Sequence, residues 1–251
     1  MKALNEEERE RYQRHLCIPE LGEAGQLKIK AGSVLVVGAG GLGSAVLLYL
    51  AAAGVGRLGI VDSDVVELSN LQRQILYDTE HLGIVKTELA FQRLHALNPH
   101  VELKLYQQRF EKQNALKLMQ GYAIVMDGTD NFETRFLIND LCVKSGKPYI
   151  YGAINQFHGQ VSVFDAKKGA CFRCVYPAMP SEEIIAMNKG VGVVGAVPGI
   201  IGSIEALECI KILTGIGDPL YGRMILLDGQ TMEFREIQIR KQTNCPICAA
   251  H

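Results

Sequence analysis

The run Gly38-Ala39-Gly40-Gly41-Leu42-Gly43 follows a continuous apolar stretch, Ser33 to Val37, and leads into an apolar helical segment from Ser44 to Ala53. A second apolar stretch, Arg57 to Val61, ends in Asp62. A G-x-G-x-x-G run between strand and helix, with an acid ~20 residues further on, is the order of a nucleotide-binding βαβ unit. The physical reason is local. Glycines allow a tight turn whose N–H groups, with the helix N-terminus behind them, approach phosphate, and a carboxylate ending the second strand accepts from ribose hydroxyls. Gly38, Gly40, Gly41, Gly43 and Asp62 are therefore candidate nucleotide-binding residues. The fingerprint alone does not choose between NAD and ATP.

Downstream, the periodicity predicts a helix over Lys86–Leu97 closed by Asn98-Pro99, a strand over Val101–Tyr106 and a helix over Glu111–Gln120. A buried strand over Ala123–Met126 follows, then a helix over Phe132–Lys144 with Asp130 as its cap, and a strand over Pro148–Tyr151. Beyond this point the pattern changes. Gln160–Phe164, Met224–Asp228 and Glu233–Ile239 alternate like antiparallel strands, and Ile200–Leu213 reads as one long apolar helix. The expected fold is α/β: a Rossmann-like, doubly wound mixed sheet, parallel in its N-terminal half and antiparallel in its C-terminal half. No linker or repeat divides the 251 residues, so one domain is expected, with a nucleotide-binding half over about 1–150 and a second half over about 151–251.

With 48% apolar and 21% charged residues the chain can bury a core, which excludes a disordered or fibrous protein. Lys and Arg number 26 against 27 acids, so no bulk field suits nucleic acid or a membrane surface. The charged start through Arg11 does not read as a signal peptide. The apolar stretch Val191–Ile204 is interrupted by glycines and Pro198 and is too short to span a bilayer. A cytoplasmic location is expected.

Seven cysteines in such a chain point to metal or reactive thiols rather than disulfides. Two C-x-x-C pairs, Cys171/Cys174 and Cys245/Cys248, supply four thiolates for one closed, structural zinc site tethering the second half to the tail. Cys17, Cys142 and Cys209 stand among apolar neighbours and are expected to be small core residues. The histidines lack metal spacing and receive no role.

Between Asp62 and the next helix lies a polar segment containing Asp64, Ser69, Asn70, Arg73 and Gln74, and Lys86 opens the helix. Asp130 and Asn131 end a further strand. Any one of these reads as a solvated surface group. Together, at the C-terminal edge of a parallel sheet, two cations and a carboxylate suit a triphosphate and magnesium.

The glycine run, Ser69-Asn70-Leu71-Gln72-Arg73-Gln74, Lys86, Thr129-Asp130-Asn131 with Arg135, the paired C-x-x-C and the opening Arg11-Tyr12-Gln13-Arg14 together resemble the MoeB/ThiF/HesA family of adenylyltransferases, from about Arg11 to Cys248. The resemblance implies activation of the C-terminal glycine carboxylate of a ubiquitin-like sulfur-carrier protein with a Gly-Gly tail. That carboxylate attacks the α-phosphate of ATP to give an acyl adenylate and pyrophosphate, for molybdopterin or thiamin sulfur transfer. A chain-terminal carboxylate with a pKa of about 3.5 is already ionised at neutral pH, so no general base is required. Anion–anion repulsion is the obstacle, and cations meet it. By the same resemblance Arg73 and Lys86 face the phosphates, Asp130 holds magnesium, Asp62 holds the ribose, and Asn70 and Gln74 orient phosphate oxygens. Arg14 would complete the site of a neighbouring subunit, which implies a homodimer. Where some members carry a cysteine for a covalent carrier link, this chain has Asn188-Lys189-Gly190. The reaction is thus expected to stop at the adenylate and leave sulfur to a separate donor, with no appended rhodanese-type domain after Cys248. A nicotinamide-dependent oxidoreductase explains neither the Arg73–Lys86 pair nor Asp130-Asn131. A non-enzymatic scaffold would have lost the cluster, and an adenylating enzyme for modified tRNA would need a basic face.

Overall fold

The structure, a computed structural model, describes residues 3–188 and 190–249. Three short helices lead in: α1 (Glu6–Arg11), α2 (Gln13–Leu16) and α3 (Gly22–Ala31). The first half then runs β1 (Ser33–Val37), α4 (Gly41–Ala53), β2 (Arg57–Val61), α5 (Lys86–Leu97), β3 (Glu102–Tyr106), α6 (Ala115–Leu118), β4 (Ile124–Asp127), α7 (Phe132–Ser145) and β5 (Tyr149–Asn155). The second half adds β6 (His158–Phe164), α8 (Phe172–Val175), α9 (Glu182–Asn188), α10 (Ala196–Thr214), β7 (Arg223–Asp228) and β8 (Glu233–Gln238).

All eight strands form one sheet in the order β3-β2-β1-β4-β5-β6-β7-β8. Pairing is parallel from β3 through β5 and antiparallel from β5 to β8. The expected mixed architecture is therefore present. β1 is apolar throughout because both of its faces are covered. Val34 and Val36 belong to the core cluster that contains residues of α4 and α10, and Leu35 and Val37 to the opposite cluster that contains residues of α6 and α7. The helices α4 and α10 also pack on each other, and they do so closely: a Cβ on Gly202 would come within 2.8 Å of the Leu42 carbonyl oxygen. β8, at the open edge, is exposed at all six residues.

The chain runs from β1 outward to β2 and β3, then returns to place β4 on the other side of β1. The loops after β1 and β4 therefore diverge from a switch point, which is where open α/β sheets bind ligands.

Several boundaries differ from the sequence reading. α4 starts at Gly41, not Ser44, because the Ser44 N–H and hydroxyl both donate to the Gly40 carbonyl and the glycines themselves form the first turn. The helix expected over Glu111–Gln120 shrinks to Ala115–Leu118. The Asn114 side chain accepts from Glu111 N–H at 2.9 Å and donates to the Arg109 carbonyl at 2.8 Å, which holds a turn in competition with the helix. The cap of α7 is Asn131, whose Oδ1 accepts from Thr134 N–H at 2.9 Å, not Asp130. Cys142 and Cys209 are buried as expected, but Cys17 is exposed, since the four-residue α2 turns it outward at its C-terminal end.

Candidate active site

At the switch point the two loops meet backbone to backbone. Gly38 sits at φ +93°, and a Cβ there would lie 2.6 Å from the Gly128 carbonyl oxygen. Any side chain would push the loops apart. Gly43 is tighter still, since its Cβ would meet the Gly38 carbonyl oxygen at 2.1 Å. The turn is pinned on both sides of Ala39. Its N–H donates to Asp62 Oδ2 at 2.7 Å, and its carbonyl accepts from the Tyr77 hydroxyl at 2.8 Å. Asp62 Oδ1 accepts from Asp64 N–H at 2.8 Å. Burial pushes the Asp62 carboxyl above its ordinary value, against the pull of these two N–H donors. The first N–H groups of α4 have no partner within the helix and open onto the same space.

That space is a cleft of about 2410 Å³ lined from both halves of the chain. It exceeds the roughly 300–1,000 Å³ of an ordinary small-ligand site, so a nucleotide fills only part of it. Gly38, Gly40, Gly41, Asp62, Asp64, Asn70, Arg73, Gln74, Lys86, Asp130 and Asn131 all line it. Lys86 is the most enclosed cation, its side chain only 5% exposed and its Nζ 3.1 Å from Asp64 Oδ2. Arg73 lies across Gly41 and is steadied by one donation from Nη1 to the Ser69 carbonyl at 3.0 Å. Gln74 is buried over Gly40, and its Oε1 has no hydrogen-bond partner among the described residues. Asp130 is exposed and makes no hydrogen bond among the described residues. Cations on one wall, an unengaged carboxylate on the other, and an orphaned amide oxygen between them make a polar cradle with capacity to spare for an anionic ligand and its cation.

Three expected residues lie outside the lining. Gly43 serves the packing of helix on turn, and Ser69 holds Arg73 through its carbonyl. Arg14 is exposed on α2, away from the cleft of its own chain. The side chain of Asn188 and the whole of Lys189 lie outside the described residues.

Sequence reasoning missed Tyr77, which fixes the glycine turn, and Asp127, a fully buried carboxylate at the end of β4 paired with Arg135 at 3.3 Å. The available signal for Asp127 was an acid closing an apolar strand, with an arginine eight positions on.

The four cysteines converge. Their sulfurs all lie within 4.8 Å of one another, with Cys171–Cys245 at 3.7 Å and Cys174–Cys248 at 3.4 Å. A tetrahedral site with ~2.3 Å metal–sulfur bonds has edges of about 3.8 Å, so the quartet fits a metal of zinc's size and softness. The knuckle packs on α7: Phe172 N–H donates to Asn139 Oδ1 at 2.8 Å, and Arg173 makes a two-pronged pair with Asp140 at 2.7 Å.

No helix among the described residues is long and apolar enough to cross a membrane. The fold is similar to that of E. coli MccB in complex with MccA-N7isoASN, with a TM-score of 0.87 over 96% of this chain and 74% of that one, at 22% identity. In sequence the chain is 46% identical to a sulfur carrier protein adenylyltransferase of Thermus thermophilus, covering 96% of this chain and 91% of the relative. It is also 46% identical to the probable adenylyltransferase/sulfurtransferase MoeZ of Mycobacterium tuberculosis and to adenylyltransferase and sulfurtransferase MOCS3 of Drosophila yakuba, but spans only 63% and 53% of their lengths. The ThiF family matches residues 12–247, and with the pinned glycine turn, the paired cations and the cysteine knuckle already in place, the chain belongs to that family.

Proposed function

We propose that this chain is an adenylyltransferase acting on the C-terminal glycine carboxylate of a ubiquitin-like sulfur-carrier protein with a Gly-Gly tail, with ATP as the second substrate. The observation that carries the reading is the juxtaposition of Lys86, Arg73 and the unengaged Asp130 around a glycine turn, in a cleft far larger than a nucleotide requires. The surplus volume suits an extended peptide tail. In this reading the glycine turn and the start of α4 hold the phosphates, and Asp62 receives the ribose. One carboxylate oxygen attacks the α-phosphorus, the bond to the bridging oxygen breaks, and the electron pair leaves on pyrophosphate. No proton moves. Lys86 and Arg73 offset the repulsion between the incoming carboxylate and the triphosphate and receive the charge that develops on the leaving group. Asn70 and Gln74 orient phosphate oxygens. Asp130 would hold magnesium, which supplies further positive charge at the phosphates. The cysteine quartet would hold a structural zinc, since four thiolates leave no open position for chemistry.

Among the described residues no cysteine lines the cleft, which supports a reaction that ends at the adenylate and passes it to a separate sulfur donor. A homodimer is part of the same reading. Arg14 sits next to His15, which with Tyr49, Ala52, Leu207 and Ile210 lines a shallow groove of about 400 Å³ between α4 and α10. Tyr49 and Leu207 are 57% and 55% exposed. A second copy covering this apolar face would bury both and bring Arg14 towards a partner's cleft.

The test is ATP–pyrophosphate exchange with Gly-Gly-ending carriers, each compared with its tail-truncated form. Removing a preorganised charge partner costs about 10²–10³ in rate, so Arg73→Ala is expected to bind ATP but lose exchange by that factor. Near-normal exchange in this variant removes Arg73 from the mechanism.

A further inference from the structure

We propose that Asp127 and Arg135 are positioning residues that clamp the Thr129–Asp130 peptide and so fix where the Asp130 carboxylate stands in the cleft; the catalytic consequence rests on the adenylation reading above. Thr129 is held by three of its polar groups. Its N–H and hydroxyl both donate to Asp127 Oδ1, at 2.8 and 2.6 Å. Its carbonyl accepts from Arg135 Nη2 at 2.9 Å. Asp127 is itself fully buried, and its Oδ2 accepts from the Tyr149 hydroxyl at 2.9 Å. Arg135 Nε lies 3.3 Å from the same oxygen but off the hydrogen-bonding angle, so that contact is a pairing of charge. The guanidinium is also sandwiched, 5.7 Å from the Phe132 ring and 5.6 Å from the Tyr151 ring. On the other side of Asp130, Asn131 is committed to capping α7. Asp130 therefore makes no side-chain hydrogen bond among the described residues, in a segment pinned on both flanks, and feels the charge of Arg135.

A buried ion pair is a poor way to fill a core, because apolar residues of the same volume avoid the desolvation cost. What an apolar pair cannot do is reach the Thr129 N–H and carbonyl at once and set the direction of the next residue. A carboxylate displaced by about 1 Å loses much of its value in a site whose chemistry depends on placement.

Arg135→Lys keeps the charge but replaces the planar fork, whose Nη2 reaches the Thr129 carbonyl while Nε faces Asp127, with one nitrogen on an unbranched stem, and Asp127→Asn keeps the shape without the charge. Each is compared with wild type by amide hydrogen exchange over residues 128–131 in the metal-free protein, and by the magnesium dependence of pyrophosphate exchange. The clamp predicts at least about tenfold faster amide exchange at this segment. It also predicts about a tenfold or greater fall in kcat, with KM for ATP changed less than about twofold and a higher magnesium concentration at half-maximal rate. Should neither variant fold, Thr129→Val, which removes one tether, is read in the same way, with Thr129→Ser restoring wild-type behaviour. A folded variant with unchanged amide exchange and unchanged magnesium dependence, or one that only melts earlier, overturns the proposal. If wild type itself shows no pyrophosphate exchange with any carrier, the adenylation reading fails and the clamp is judged on amide exchange alone.

Discussion

Glu205 lies in the middle of α10 with no exposed surface, neither carboxyl oxygen has a hydrogen-bond partner among the described residues, and its carboxyl is pressed against the backbone of Gly152. Burial pushes its pKa well above the ordinary 4.5; the nearby Asp127 charge adds to this and Arg135 opposes it. The folded protein therefore keeps this proton after the unfolded chain has lost it. The contribution to stability is fully present below pH 4.5 and is lost as pH rises towards the elevated folded value. The slope is at most about 1.4 kcal/mol per pH unit. Glu205→Gln preserves the shape and removes the titration. Urea unfolding at pH 5, 6, 7 and 8 is expected to show the variant gaining on wild type as pH rises, and parallel curves would mean that Glu205 is already ionised in the folded state. Single residues such as this were the least legible part of the sequence. Glu205 and Asp127 carry no periodic signal that separates them from exposed acids, and only the elements packed around them reveal their burial.

Whole elements were more legible, and the failures have local causes. Ser33–Val37, Arg57–Val61 and Lys86–Leu97 stand where the periodicity puts them, since each obeys a single burial pattern. α6 fails because one asparagine side chain outbids the helix, and the cap of α7 slips by one residue because Asp130 and Asn131 are equally competent caps. The cysteine quartet was readable from spacing alone, but its seat on α7 through Asn139 and Asp140 was not. That seat makes the knuckle an extension of the helix that follows Asp130. Cys248→Ser is expected to cost about 3 kcal/mol, a fraction of the ~10–16 kcal/mol of structural zinc binding in small peptides. For a chain of this length that lowers Tm by about 6–12 °C. The checks are calorimetry, one zinc per chain in wild type by elemental analysis, and proteolysis of the tail near residue 245 appearing first in the variant. A metal-free wild type with the same Tm would refute it.

At the scale of the molecule, the exposed Arg14 and the apolar groove on α4 and α10 lead to a complementation experiment. Arg14→Ala and Arg73→Ala are each expected to be nearly inactive. If the chain forms the proposed dimer with Arg14 acting in the neighbouring cleft, mixing with subunit exchange makes half of the dimers mixed, each with one intact site, so activity recovers to about a quarter of wild type. If Arg14 serves its own chain, the mixture stays at the residual level. The contact between Gly38 and Gly128 has a different bearing on the whole. With no side chain to act as a cushion, the glycine turn after β1 and the loop after β4 that carries Asp130 share a single rigid wall, and under the proposed reading the phosphate and magnesium positions could not be retuned independently. New specificity in this scaffold would have to come from the outer rim of the cleft, where the exposed side chains of Val191, Glu233 and Arg235 line it.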